Sequence, residues 1–316
     1  MLFTLVAPAG AGKNTLMKYV LARTNLRQIP TATTRPIRHY ELHGREHLFV
    51  SEAEFRRMLD NGELLEYEVI HGNLYGMPRA SVEAALDAGQ AIIVDIGMMG
   101  DASAREAYPE NIISVFVQPP SIGSLIARMH DRGEQDANIS RRLLRVPDEL
   151  AYARACDYLI LNDSLADAGN KLYEIVEARL LGNTNVRGDA QIEYHFSFVA
   201  QMTPIFDNLA LRHDSRPFEP EAPFASGEMP HEVAFRALRR ELDIDFSPDA
   251  VIGGDKPDGT FLPPVKLSHT QDASGERITY AYCYRLDQRI DVPDGWSWAE
   301  LPEPLSAALL ERRSEV

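Results

Sequence analysis

The sequence predicts an α/β fold, a largely parallel sheet with crossover helices, followed by a second domain of α+β type. Three observations carry this. The apolar run Leu2-Phe3-Thr4-Leu5-Val6 feeds a glycine-rich turn and then Lys13-Asn14-Thr15, which reads as strand, phosphate-binding turn and helix. Apolar β-rich runs then alternate with helical patterns as far as residue 180, the signature of βαβ units. After residue 181 the polar, turn-rich stretch 182–189 breaks the alternation, and residues 190–316 are patterned differently. The chain of 316 residues is long enough for two ordinary domains, expected at 1–182 and 190–316.

The turn after the first strand has a definite chemistry. Gly10, Ala11 and Gly12 can point successive backbone N–H groups at phosphate oxygens, at the positive end of the next helix. Lys13 then reaches the terminal phosphates. The general pattern is G-x-x-x-x-G-K-[S/T], and this chain has Ala7 at its first position and Asn14 at its last. The missing hydroxyl bears on Mg²⁺, which an amide oxygen of Asn14 or the neighbouring Thr15 hydroxyl can also ligate.

The remaining elements are read in chain order. Leu16, Met17, Val20 and Leu21 recur at helical spacing and give a helix over 15–23. Strands are predicted at 91–96, 112–117 and 158–161, and helices at 79–88, 121–131, 139–154 and 165–180. In the second half, 194–200, 208–212 and 277–286 read as strands, 223–227 as a loop and 299–312 as a final helix. Residues 230–242 form a helix with Val233, Ala234, Ala237, Leu238 and Leu242 inward.

Composition bounds the function. Apolar residues make up 45% and charged residues 25%, as in ordinary globular proteins. The net charge of −15 argues against nucleic acid or a membrane surface as partner, so an anionic ligand must be met by a local arginine cluster. Cys156 and Cys283 alone make no disulfide framework or zinc site. The first six residues are too short for a signal segment or membrane span, and the expectation is a cytoplasmic protein.

The segment 30–76 interrupts the alternation with the ordered blocks Thr33-Thr34-Arg35, Arg38, Glu41; Phe49-Val50-Ser51 with Glu54-Phe55; Gly62, Leu64-Leu65-Glu66; and Gly72-Asn73, Tyr75-Gly76. Asp95 at a strand end, Pro119-Pro120-Ser121, Arg132-Gly133, Arg141-Arg142 and Leu161-Asn162-Asp163 continue the series. With these blocks, residues 2–180 resemble guanylate kinase. The resemblance implies a P-loop kinase with an inserted substrate lobe and a lid, which moves the γ-phosphoryl group of MgATP onto the phosphate of GMP. Such transfer rests on positioning and charge neutralisation, work suited to forked, permanently charged guanidinium groups.

By the resemblance, Gly10, Ala11, Gly12, Lys13, Asn14 and Thr15 bind ATP, with Asn14 or Thr15 toward its Mg²⁺. Arg35 and Arg38 hold the acceptor phosphate, with Tyr75 in contact and Glu41 organising them. Glu66 pairs with guanine N1 and N2, and Thr31 adds a hydroxyl near the base. Asp95 sits by the metal and acceptor phosphate, and Arg128, Arg132 and Arg142 belong to the mobile lid. The chain departs from the family pattern at Met77, where a base-reading hydroxyl is usual, at His47 for a phosphate-binding tyrosine, and at Gly97 for a second aspartate. Loss of one ligand hydrogen bond costs about 1–3 kcal/mol, so selectivity for GMP is expected to be relaxed. A ribose 1,5-bisphosphate phosphokinase and a catalytically inactive interaction module remain alternatives.

In the second half, Gly227-Glu228 and the run from Ala234 to Ile244, with Trp296-Ser297-Trp298-Ala299-Glu300-Leu301 later, resemble Nudix hydrolases. Their box needs several glutamates on one helix face to bind Mg²⁺. The matching positions are Ala237, Arg240 and Glu241, so the domain is expected to be Nudix-like with a degenerate box and without hydrolysis, a structural module or a contact for a homodimer.

Overall fold

The first strand, β1 (Leu2–Val6), is buried along its whole length, as suits a run that is apolar except for Thr4 inside a sheet covered on both faces. It belongs to a computed structural model that describes residues 1–38, 41–70, 72–206, 209–213, 221–242, 250–252, 261–286, 294 and 296–300. Up to the end of the inserted segment the elements run α1 (Lys13–Leu21), β2 (Arg27–Gln28), β3 (Thr31–Thr33), β4 (His47–Phe49), α2 (Glu52–Asp60), β5 (Leu64–Ile70) and β6 (Asn73–Pro78). Then come α3 (Arg79–Asp87), β7 (Ile92–Asp95), α4 (Met98–Ala107), β8 (Ile112–Gln118), α5 (Ile122–His130), α6 (Asp136–Leu143), α7 (Val146–Tyr152), β9 (Tyr158–Leu161) and α8 (Leu165–Leu180).

The main sheet has five strands in the order β2-β7-β1-β8-β9, and every pairing in it is parallel. The expected parallel sheet is therefore present. The segment 30–76 builds a separate four-stranded sheet, β4-β3-β6-β5, with α2 beside it. Ser51 caps α2 by accepting from the Glu54 N–H at 3.2 Å, the S-x-x-E arrangement that opens many helices. Ser164 caps α8 in the same way through Asp167.

One predicted helix divides in two. The pattern over 139–154 spans α6, α7 and a 3₁₀ turn at Ala153–Ala155. Pro147 explains the break, because it has no N–H to donate to the Leu143 carbonyl four residues back and its ring crowds that carbonyl, while it fits the first turn of a new helix.

By contacts the chain forms two compact units, Met1–Leu125 with Val146–Glu193, and Ile126–Arg145 with Tyr194–Val316. The second contains β10 (Phe196–Phe206), β11 (Leu209–His213), β12 (Glu221–Phe224), α9 (Pro230–Leu242), β13 (Val251–Ile252), β14 (Lys266–Asp272), β15 (Gly275–Arg285) and β16 (Trp296–Glu300). Its seven strands form one sheet with the path β13-β15-β10-β11-β16, β12 pairing with β10 and β14 with β15. The five inward residues expected of α9 are buried.

Two expectations need correction here. Residues 221–224 form a strand where a loop was expected to start at Pro223, and proline is tolerated because, among the described residues, β12 pairs with β10 alone and so lies on an edge. Ala299 and Glu300 end a strand rather than open a helix, and the rest of that expected helix lies outside the described residues. Helix α6 belongs to this second unit: the Tyr280 hydroxyl donates to the Ser140 carbonyl at 2.8 Å, and Arg141 lies 5.5 Å over the Phe261 ring. Among the described residues no helix is long and apolar enough to cross a membrane.

Candidate active site

The phosphate loop is shaped by Gly12, which caps α1 with φ of 98° and no side-chain cap. That conformation suits glycine, and it leaves the helix N-terminus open to an anion. There is no space for a side chain either: a Cβ on Gly12 would lie 2.3 Å from Asn162 Nδ2. Asn162 itself donates to the Ala11 carbonyl at 2.6 Å and so pins the loop from the end of β9. Lys13 Nζ donates to the Ala7 carbonyl at 2.7 Å and lies 3.7 Å from Asp95 Oδ1. Sheet register makes this meeting, since Asp95 ends β7 directly beside Leu5 of β1. Asn14 is half-buried and Thr15 exposed.

A second cluster is built by the inserted lobe. Thr31 of β3 faces His47 of β4 in parallel register, and their side chains meet at 2.8 Å. Thr33 pairs with Tyr75 of β6, which sets the phenol beside the chain leaving β3. Arg35 uses that chain: its Nε donates to Tyr75 Oη at 3.2 Å, one terminal nitrogen to the Pro36 carbonyl at 2.7 Å, and the other to Glu41 at 2.8 and 3.0 Å. Glu41 also accepts from the Arg38 N–H at 2.9 Å, and the Arg38 guanidinium stands 3.8 Å away. Burial would raise the Glu41 carboxyl, but hydrogen bonds from Arg35 and the Arg38 backbone outweigh it and hold the group below its ordinary value. His47 is buried, which lowers its pKa against the opposing pull of Asp95, and its ring meets Tyr75 edge-on at 5.9 Å.

At the far side of this lobe stand two carboxylates of β5. Glu66 is pushed up to about 7, by burial first and then by the charge of Glu68, against a hydrogen bond from the Met77 backbone. Glu66 Oε2 is buried without a hydrogen-bond partner. Met77 is fully buried in the core with Leu2, Ile29 and Val94, so the position of the expected hydroxyl is part of the hydrophobic interior. Opposite β5 is the start of α4, where Gly97 and Gly100 allow the carboxylates close approach.

Helix α4 is held by a network that residue patterns did not single out. Asp101, fully buried, accepts from Thr4, Ser114 and the Tyr152 hydroxyl, and Arg105 bridges it to Asp157. Burial and the Asp101 charge push the Tyr152 phenol up.

The arginines expected in the lid fall in the second unit. Arg132 and Arg142 both meet Glu134, at 3.2 and 2.8 Å, while Arg128 is half-buried on α5. The expected site residues thus gather as Lys13 with Asp95, as Thr31, Arg35, Arg38, Glu41 and Tyr75 around His47, as Glu66 with Glu68, and as two arginines on Glu134.

The Guanylate kinase family model matches residues 2–179. Guanylate kinase of Bradyrhizobium diazoefficiens is 39% identical over 183 residues, which cover 57% of this chain and 84% of that protein. Guanylate kinase of Bordetella pertussis is 42% identical over 182 residues, with the same coverage of 57% and 84%. A solved guanylate kinase from Anaplasma phagocytophilum has 28% identity, covers 57% of this chain and 86% of that one, and gives a TM-score of 0.49.

Proposed function

The chain belongs over residues 2–179 to the guanylate kinase family and is a nucleoside monophosphate kinase, and from that footing we propose that it moves the γ-phosphoryl group of MgATP onto the phosphate of GMP. The arrangement around Arg35 carries this reading. A guanidinium braced by Tyr75, Pro36 and Glu41 is pre-oriented, so little side-chain freedom is lost when an anion arrives. Arg38, tied to the same carboxylate, adds a second cation. A phenol that accepts from Arg35 keeps its own O–H to donate to an acceptor phosphate.

Lys13 supplies positive charge to the donor phosphates at the open end of α1, where Gly10, Ala11, Gly12, Asn14 and Thr15 form the ATP loop. Alignment and neutralisation of two anions then account for the rate without a covalent intermediate. Mg²⁺ enters with ATP as part of the substrate. The donors present fit that: Asn14, Thr15 and Asp95 offer oxygen atoms that would hold the ion beside the phosphates.

The test is ADP release by the full chain with MgATP over a panel of GMP, dGMP, IMP and ribose 1,5-bisphosphate. Preference for GMP and dGMP is expected; preference for the bisphosphate would give the substrate to the alternative reading, and no transfer to any acceptor would return the chain to an interaction module.

For the second unit we propose a Nudix-like, non-hydrolytic role. The supporting residues are Ala237, which is core, and Arg240, which brings a cation where the box needs a carboxylate; Glu241 is the one carboxylate at the three positions. The neighbouring Asp243 and Ile244 lie outside the described residues.

A further inference from the structure

Position 97 is where the family pattern has its second aspartate and this chain has none, yet the space is not empty. A Cβ built on Gly97 would lie 2.2 Å from Glu68 Oε2 and 3.2 Å from the Glu68 carboxyl carbon. The backbone at Gly97, with φ of −79° and ψ of 176°, is one any residue adopts, so the glycine answers to space and not to chain geometry. Within the first turn of α4 the helix gives way to the other carboxylate as well, since a Cβ on Gly100 would stand 2.9 Å from Glu66 Oε1. Two carboxylates of one strand therefore reach across to one helix N-terminus, itself fixed by the buried Asp101 network.

The charge of Glu68 bears on the Glu66 carboxyl, and N–H donors placed against both carboxylates relieve that repulsion. Guanine supplies such donors: its N1–H and exocyclic 2-amino group offer three N–H bonds on one edge, whereas hypoxanthine has N1–H alone and adenine presents an acceptor at N1. We propose that Glu68 supplies from strand β5 the second base-reading carboxylate that Gly97 lacks, accepting from the 2-amino group of guanine beside Glu66. Glu68 thereby restores the selectivity that Gly97 and Met77 remove. This rests on the GMP kinase reading above.

The experiment compares kcat/KM for GMP and IMP in the full chain, Glu68→Ala, Gly97→Asp and the Glu68→Ala/Gly97→Asp double variant. Glu68→Ala should lower the GMP-to-IMP ratio about 10- to 100-fold through GMP alone, the size of one lost ligand hydrogen bond. IMP turnover, changed by less than about threefold, reports that the site is still folded. Gly97→Asp alone should also lose GMP turnover, because the new side chain meets Glu68. The double variant should regain most of the ratio, with a carboxylate returned to the same space from the other side. An unchanged ratio in Glu68→Ala, an equal fall for GMP and IMP, or a double variant no better than either single one would overturn the proposal. Those results leave GMP turnover by the unaltered chain intact, whereas its absence would overturn the kinase reading and this inference together.

Discussion

On Glu66, burial and a neighbouring charge act in the same direction. Burial and then Glu68 raise its carboxyl from 4.5 to about 7, so near neutral pH it is divided between acid and carboxylate. A carboxylate is the form that accepts from N1–H, and kcat/KM for GMP should therefore rise with pH through about 7, a limb that Glu66→Gln should lack. Linkage fixes the sign for stability. The folded chain holds a proton on Glu66 between pH 4.5 and about 7 that the unfolded chain has released, so this group's contribution falls as pH rises through that window. Denaturant melts should find Glu66→Gln more stable than the unaltered chain at pH 8, on the order of 2 kcal/mol, and no more stable at pH 4. Glu41 behaves oppositely: its value is lowered by Arg35 and Arg38, and the stability it contributes is kept above the ordinary carboxylate range and lost only as pH falls through its depressed value.

At the scale of elements, the turn at Gly12 joins fold and site. Its φ of 98°, and the 2.3 Å that would separate a Cβ there from Asn162 Nδ2, mean that Gly12→Ala strains the backbone and displaces the side chain that pins Ala11. The expected result is a loss of about 1–3 kcal/mol in thermal or denaturant melts together with a raised KM for ATP; an unchanged KM would separate the turn from ATP binding. The elements legible in the sequence are those with a long apolar period or a clear cap. Strand β9 and helices α8 and α9 fall at the expected residues because Leu172, Ile175 and Val176, or Val233, Ala234 and Leu238, mark a buried face. The inserted sheet was not legible strand by strand, because β3 and β4 have three residues each and β5 is half exposed. Of the candidate site, Lys13 was expected from the glycine-rich turn before it, and Arg35 and Glu41 only from the resemblance of the ordered blocks. Glu68 was not singled out, since its approach to Gly97 from β5 is carried by no spacing in the sequence. Asp101 was hidden for the same reason, its partners Thr4, Ser114 and Tyr152 lying on three other elements.

At the scale of the whole molecule, the proposed function asks a chain of net charge −15 to meet anions with local cations, Lys13 in the loop and Arg35 and Arg38 in the lobe. Residues 126–145 group with the second unit, where Tyr280 of β15 holds the Ser140 carbonyl of α6 and the Leu267 N–H meets Asp136. The segment expected to serve as the lid is thus packed with residues from the C-terminal part of the chain, a feature that the break in composition at 182–189 does not announce. On the proposed function, the full chain carries out one phosphoryl transfer between two nucleotides. Phosphorus-31 magnetic resonance of the chain with MgATP and GMP tests it most directly: the account predicts ADP and GDP appearing in equal amounts and both absent with Lys13→Ala, and ADP formed without GDP would contradict it.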